Sequence, residues 1–264
     1  MMIEINLREL MKIFFILLFL SISAFADSEK KQLEKGHQIA VEIEQANEGF
    51  IGQQSKMEMI LKDAHGLTTT REMDGKILEV KDDGDKSIHV YIRPSDVKGT
   101  KMLTWSHKAD DDDQWLYLPS IRRVKRISSS GKTASYMGSE FSYEDLGSQE
   151  IEKYDHVFIS EDKNSWILER YPKKKSGYQK QKMWISKKYM NPIKIEYYDR
   201  KGELLKTATF NDYQAYKVKN KTLYRPTSIE MQNIQTRKSS TFKWNQREVG
   251  VKFSQEDFEQ SSLR

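Results

Sequence analysis

The chain contains no cysteine at all. That excludes a disulfide framework and leaves no lipidation cysteine behind an export signal. Proline is scarce, at five residues, and no Pro/Gly/Ser-rich linker or fixed-period repeat divides the sequence, so one domain is expected. The five histidines, His37, His65, His89, His107 and His156, show no metal-ligand spacing. HExxH, GxSxG and a phosphate-binding glycine loop are all missing. The expectation is therefore a non-enzymatic protein without a cofactor, leaving only a catalytic constellation assembled in three dimensions as the alternative.

Excess charge of one sign is also modest. Basic residues number 44 against 39 acidic ones, for a net charge of +5, and the two signs are interspersed. This reads as a solvated surface, and no nucleic-acid partner is expected. Asp110 to Asp113 form the densest acidic run. They lack the alternating spacing and glycine of a calcium loop, so a solvated turn between strands is expected.

The one long apolar run is at the start. From Met11 the chain reads MKIFFILLFLSISAFA, with Lys12 as a charged head, Ile13 to Leu20 as the apolar centre and Ala24-Phe25-Ala26 as a small-x-small site. A signal peptide over 1–26, cleaved after Ala26, is expected, with Met11 as the start and residues 1–10 as an upstream start or a longer head. An uncleaved anchor needs about 20 apolar residues, more than are present. Export without an anchor or disulfides points to the periplasm, with 27–264 as a single domain.

Residues 28–48 carry the one extended helical pattern, an apolar stripe of Leu33, Ile39, Ala40, Ile43 and Ala46 with Ser28 as N-cap. Gly36 weakens this helix by about 1 kcal/mol relative to alanine. Beyond Gly52 the period drops to two. Met57, Met59 and Leu61 form one apolar phase, as do Ile88, Val90 and Ile92. The pattern recurs at Trp166 and Leu168, at Met183 and Ile185, and at Ile193, Ile195 and Tyr197. It continues at Ile229 and Met231 and at Phe242 and Trp244. Turn signals at Asp74-Gly75, Asp82 to Asp85, Asn191-Pro192 and Lys201-Gly202 separate these runs, although Asp74-Gly75 reads equally as a bulge. About 11–12 strands of a mainly β, one-sided antiparallel sheet are expected. Such a sheet curls to bury its apolar face, either closing as a barrel or staying open under a cover. Ser254 reads as the cap of a short C-terminal helix ending near Leu263.

Between these patterns lies a long irregular block, residues 114–147. It opens with the aromatic strand Trp115 to Leu118, passes through Arg122, Arg123, Lys125 and Arg126 as a basic loop, and ends in a small-residue run followed by Tyr136. Its WLYLPSIRRVKRISSSGK and YMGSEFSYEDL resemble the signature of the outer-membrane lipoprotein-sorting proteins, a group similar to the periplasmic carriers LolA and LolB. Arg93 to Gly99, Tyr178 to Ile185 and Pro192 to Gly202 resemble flanking segments of the same family. The resemblance implies an incomplete, open antiparallel β-barrel with helices over its concave face, and settings beside transporters of the resistance-nodulation-division type.

A carrier of this kind would hold a lipid, a lipoprotein acyl anchor or another lipophile in an apolar cavity and deliver it to the outer membrane. The expected cavity residues are Met57, Met59 and Leu61; Trp115 and Tyr117; Trp166 and Leu168; Met183 and Ile185; Ile193, Ile195 and Tyr197; and Met231, Phe242 and Trp244. Methionine suits varied apolar guests. Arg122, Arg123, Lys125 and Arg126 would meet lipid headgroups, an anionic membrane or an acidic partner. The alternative is an accessory subunit docking through the 114–147 block to an inner-membrane exporter without cargo of its own. An outer-membrane barrel fits poorly, since Lys and Glu recur on the outward phases.

Overall fold

The computed structural model of the protein describes the backbone of residues 7–264 and the side chains of residues 27–264. The expected signal segment, 1–26, thus falls outside the fully described residues. One helix, α1 (Leu7–Asn47), precedes thirteen strands. These are β1 (Gly52–Lys62), β2 (Thr68–Leu78), β3 (Lys86–Arg93), β4 (Lys101–Trp105), β5 (Asp113–Leu118), β6 (Arg123–Ile127) and β7 (Tyr154–Glu161). The rest are β8 (Ser165–Pro172), β9 (Tyr178–Ser186), β10 (Asn191–Asp199), β11 (Leu204–Val218), β12 (Lys221–Asn233) and β13 (Ser239–Val249).

All thirteen form one antiparallel sheet in the order β6-β5-β4-β3-β2-β1-β13-β12-β11-β10-β9-β8-β7. Pairing of β1 with β13 fuses two meanders. The sheet's free edges are therefore β6 and β7, consecutive in sequence, and the chain between them must travel from one edge to the other. Residues 128–153 make that journey over the concave face. The sheet is not closed into a barrel.

Two expectations about elements change. The basic run is not a loop but β6, paired with β5 from Gln114↔Ile127 to Leu118↔Arg123. As an edge strand it needs only one partner and tolerates charge, which also deters pairing with other chains. Counting β6 raises the number of strands above the expectation, whereas β2 is a single strand: Asp74-Gly75 closes no hairpin, and Gly75 pairs with both Ser55 and His89 inside the strand. A Cβ on Gly75 would stand 2.9 Å from the His89 ring.

The helix runs through Ser28 rather than starting there. Ile39 and Ala40 are buried, while Leu33 is exposed. Gly36 has a packing reason: α1 lies so close to β7 that a Cβ there would sit 2.4 Å from the His156 carbonyl oxygen. The C-terminal segment forms two 3-10 turns, Gln255–Phe258 and Gln260–Leu263, instead of an α-helix. They bury Phe258 and Leu263 against Leu103 and Trp115 on the convex face, and Trp105 Nε1 donates to the Phe258 carbonyl at 2.6 Å. Both faces of β3–β5 are thus covered.

Candidate functional site

Strand register organises the concave face of β7–β12 into rows that run across the strands. One row is polar: His156 lies opposite Arg170, Arg170 opposite Gln181, Gln181 opposite Tyr197, Tyr197 opposite Lys206 and Lys206 opposite Asn233. Two residues along each strand the next row is apolar, with Phe158, Leu168, Met183, Ile195, Ala208 and Met231 in the same succession. Both rows point inward because side chains alternate with period two.

The polar row holds the crossing segment down. Lys206 Nζ forms a 2.6 Å ion pair with Asp145, both side chains about 5% exposed or less, and donates to the Glu140 carbonyl at 2.9 Å. Asp145 also accepts from the Tyr178 hydroxyl at 2.8 Å and closes a capping box with Ser142. Asn233 Nδ2 donates to Glu140 at 2.8 Å. So anchored, the segment drives Tyr136, Phe141 and Tyr143 into the half of the concavity made by β1–β5 and β13. Tyr136 packs edge-on to Tyr143 at 5.6 Å, and Phe141 lies 4.6 Å from Phe242. The Asp110 to Asp113 run assists from outside. It lies in the connection between β4 and β5, ending at the first residue of β5, with Asp110 and Asp111 exposed as expected of a solvated turn, and each aspartate also meets a cation: Lys174, Lys132, Lys153 and Arg126 respectively.

The other half is hollow. Between α1 and β8–β12 lies a cavity of about 1000 Å³, the upper end of the range for ligand pockets. Of the expected residues, Leu168, Met183, Ile185, Ile195, Tyr197 and Met231 line it. Met57, Met59 and Phe242 belong to the same inner core but lie outside the cavity lining, in the plugged half. Leu61, Trp166 and Trp244 are half-buried at the margin of that core.

Three expected residues lie elsewhere. Ile193 is displaced by a bulge between Pro192 and Lys194, so Pro192 takes the place opposite Ile185 and lines the cavity. Trp115 and Tyr117 are on the convex side, packed with the cluster around Phe258, while Leu116 between them faces inward. Their strand is apolar on both phases because both faces are covered, so alternation alone did not fix which phase was inner. The basic residues also separate: Arg123 and Lys125 pair with Leu118 and Leu116, whereas Arg126 pairs with Trp115 and binds Asp113. Arg122 caps a 3-10 turn over Pro119–Ile121 in left-handed backbone. They do not form one surface.

Sequence reasoning missed Arg170, Gln181 and Lys206. Their signal was phase: each is two residues from an inner apolar side chain, Leu168, Met183 and Ala208. Ala208, Phe210 and Ile229 complete the wall, and Ala40 and Ile43 of α1 the roof. The rim is charged, with Glu44, Glu79, Asp83, Asp85 and Glu150 facing Lys81, Lys108, Lys221 and Arg225. Burial pushes the Asp85 carboxyl up to about 7. Burial, then the Arg170 charge, pushes His156 down to about 3, and its Nδ1 has no partner among the described residues. Glu44, Glu150 and Glu152 bring carboxylate oxygens within 4.8 Å of one another. The end of α1 is tied down: Arg225 donates to Asn47 Oδ1 at 2.6 Å, and Asn47 donates to the Met190 carbonyl at 2.8 Å.

The fold recurs in solved proteins. A structure described as an outer membrane lipoprotein-sorting protein domain, from Vibrio parahaemolyticus, is 44% identical over 88% of this chain and 99% of its own, with a TM-score of 0.84. The chain belongs to the outer-membrane lipoprotein-sorting protein family. A DUF1329 family protein from Desulfovibrio piger matches the same shares at 29% identity and a TM-score of 0.82. A LolA superfamily protein from Nitrosomonas europaea shares the fold at 18% identity and a TM-score of 0.66, over 86% of this chain and 98% of its own. A family model described only as "Uncharacterized protein" matches residues 83–264. No curated protein matches. The lipoprotein-sorting family thus has, in this member, an open antiparallel sheet with one half of its concave face plugged and one half hollow.

Proposed function

We propose that the protein is a periplasmic carrier that shelters the acyl chains of a lipid or lipoprotein anchor in the hollow half of its sheet and delivers them to the outer membrane. The observation that supports this most is the cavity of about 1000 Å³ walled by Leu168, Met183, Ile195 and Met231 under α1. Each methylene moved from water into such a site contributes about 0.8 kcal/mol, so a sixteen-carbon chain supplies on the order of 12 kcal/mol before the costs of ordering. No covalent chemistry is required. Entry needs α1 to lift from β7, where the glycine contact at Gly36 is close but holds no side chain. The 1–26 segment serves export and is removed, leaving 27–264 as one lipid-binding domain.

An acidic acceptor or an anionic headgroup at the membrane would meet the basic edge strand β6. Charge reversal at Arg123 and Lys125 that leaves transfer to vesicles unchanged removes this surface from the proposal. The rival reading, an accessory subunit docked on an inner-membrane transporter, keeps only the exposed part of the 114–147 block, because Tyr136, Phe141 and Tyr143 are buried. Mass spectrometry of organic extracts from protein purified out of its native envelope decides between them. Stoichiometric lipid is expected; an empty cavity in a stable transporter complex would favour the accessory role.

A further inference from the structure

Arg170 stands in the wall of the hollow as a cation without an anion. The residue is 5% exposed and lines the cavity. Its Nε donates to Gln181 Oε1 at 2.8 Å, its Nη2 donates to Gln149 Oε1 at 2.6 Å, and its guanidinium carbon lies 4.4 Å from the centre of the Tyr154 ring. All of these partners are neutral. Lys206, the other buried cation of the same row, is matched by Asp145; among the described residues Arg170 has no such ion pair, and its Nη1 has no hydrogen-bond partner. Two strands along, roughly 9.5 Å by strand spacing, Tyr197 also lines the cavity, and its hydroxyl has no partner among the described residues.

A guanidinium taken out of water without a counter-charge is costly, and its planar fork fits a carboxylate or phosphate better than any neutral group. We infer that Arg170 receives the oxyanion headgroup of an acyl lipid, whose chain lies along Leu168, Met183, Ile195, Ala208 and Met231. Gln149 is the exchangeable partner: its side chain reaches in from an exposed loop position, and its amide oxygen holds the place one headgroup oxygen would take. Gln181, fixed in β9, continues to orient the guanidinium. This rests on the carrier reading and narrows the guest from any lipophile to an anionic amphiphile.

The test compares oleate with oleyl alcohol, equal in chain and different in charge, by calorimetric titration of the delipidated exported protein at pH 8 below micelle formation. Oleate is expected to bind about tenfold or more tighter, the size of one charge-assisted hydrogen-bonded contact. Arg170→Met should bring the two affinities within about threefold of each other, and Arg170→Lys should keep part of the difference. Gln149→Glu, at an exposed position, places a carboxylate beside Arg170 without altering a buried residue and should also collapse the preference; a preference that survives it overturns the assignment. Equal binding of oleate and oleyl alcohol to the unaltered protein overturns the inference and leaves the carrier reading standing, whereas binding of neither overturns both. Oleoyl lysophosphatidate against oleate tells a phosphate headgroup from a carboxylate. Inorganic phosphate binding as tightly as the lysophosphatidate would overturn the lipid as the ligand class.

Discussion

The two halves of the concave face are built from the same material and end in different states. Under the crossing segment, Met57, Met59, Met73, Tyr91 and Phe242 are sealed by Tyr136, Phe141 and Tyr143. Under α1, Leu168, Met183, Ile195 and Met231 face a void. Both halves alternate apolar and polar residues, and both are rich in methionine, so the strands do not encode the difference. The covers do. The crossing segment inserts aromatic rings, while α1 brings Gly36 against the β7 backbone and roofs the cavity with Ala40 and Ile43, which are too small to fill what lies beneath. An open sheet thus becomes core or container according to what is laid on it.

The largest effects should come from asking the two halves to lose the same kind of atom. Tyr136→Ala removes a ring from the filled half, where Tyr136 is 1% exposed, and should cost about 3–5 kcal/mol in urea unfolding at constant m. Met183→Ala removes atoms that already border a void. No new cavity is created, and the loss should stay under about 2 kcal/mol. Equal losses would mean that the hollow closes on itself in solution.

Next in size is the latch between the halves. Lys206→Met leaves Asp145 buried without its cation and should cost about 3–5 kcal/mol, with most of it recovered when Asp145→Leu is added. A small single-variant effect would show that water reaches the pair.

The hollow half also carries opposed titrations. In the unfolded chain His156 takes a proton below its ordinary 6.5, but the folded protein refuses it until about 3. The unfolded state therefore binds more protons in that window, and stability falls on acidification, by on the order of 3 kcal/mol between pH 6.5 and 4. Asp85 acts the other way. Its folded carboxyl keeps a proton up to about 7 against an ordinary 3.8, so its contribution falls as pH rises through that window. His156→Leu should flatten or reverse the acid loss seen in urea midpoints, and Asp85→Asn should steepen it.

Much of the fold was legible because period-two alternation survives where one face is wet, as at Ile195 and Tyr197 against Lys194 and Glu196. It failed where that premise failed. Trp115 and Tyr117 sit on a strand covered on both sides, so the aromatic phase was mistaken for the inner one. Ile193 lost its place to a bulge, which shifts phase without a strong sequence mark. Arg123 to Ile127 looked like a loop because an edge strand is allowed the charges a central strand is not. Within the candidate site the apolar wall could be read, but the polar row could not. Arg170, Gln181 and Lys206 resemble solvent-facing residues until the register places them beside Leu168, Met183 and Ala208.

The smallest change in stability should accompany a large change in binding, and it separates the halves most cleanly. Ala208 is fully buried yet lines the cavity, so Ala208→Phe extends a ring into empty space instead of into neighbours. Added apolar burial and lost side-chain freedom nearly cancel, and stability should move by less than about 1 kcal/mol. The ring takes volume an acyl chain would use, so affinity for a neutral long-chain probe should fall about tenfold or more, the loss of roughly two buried methylenes. Met59→Trp applies the same kind of addition to the filled half, where Met59 is fully buried under the plug. It should cost about 1–3 kcal/mol through overpacking and leave the probe's affinity unmoved. If Ala208→Phe instead destabilises as much as Met59→Trp, the space under α1 is not available to a guest, and the contrast between container and core is lost.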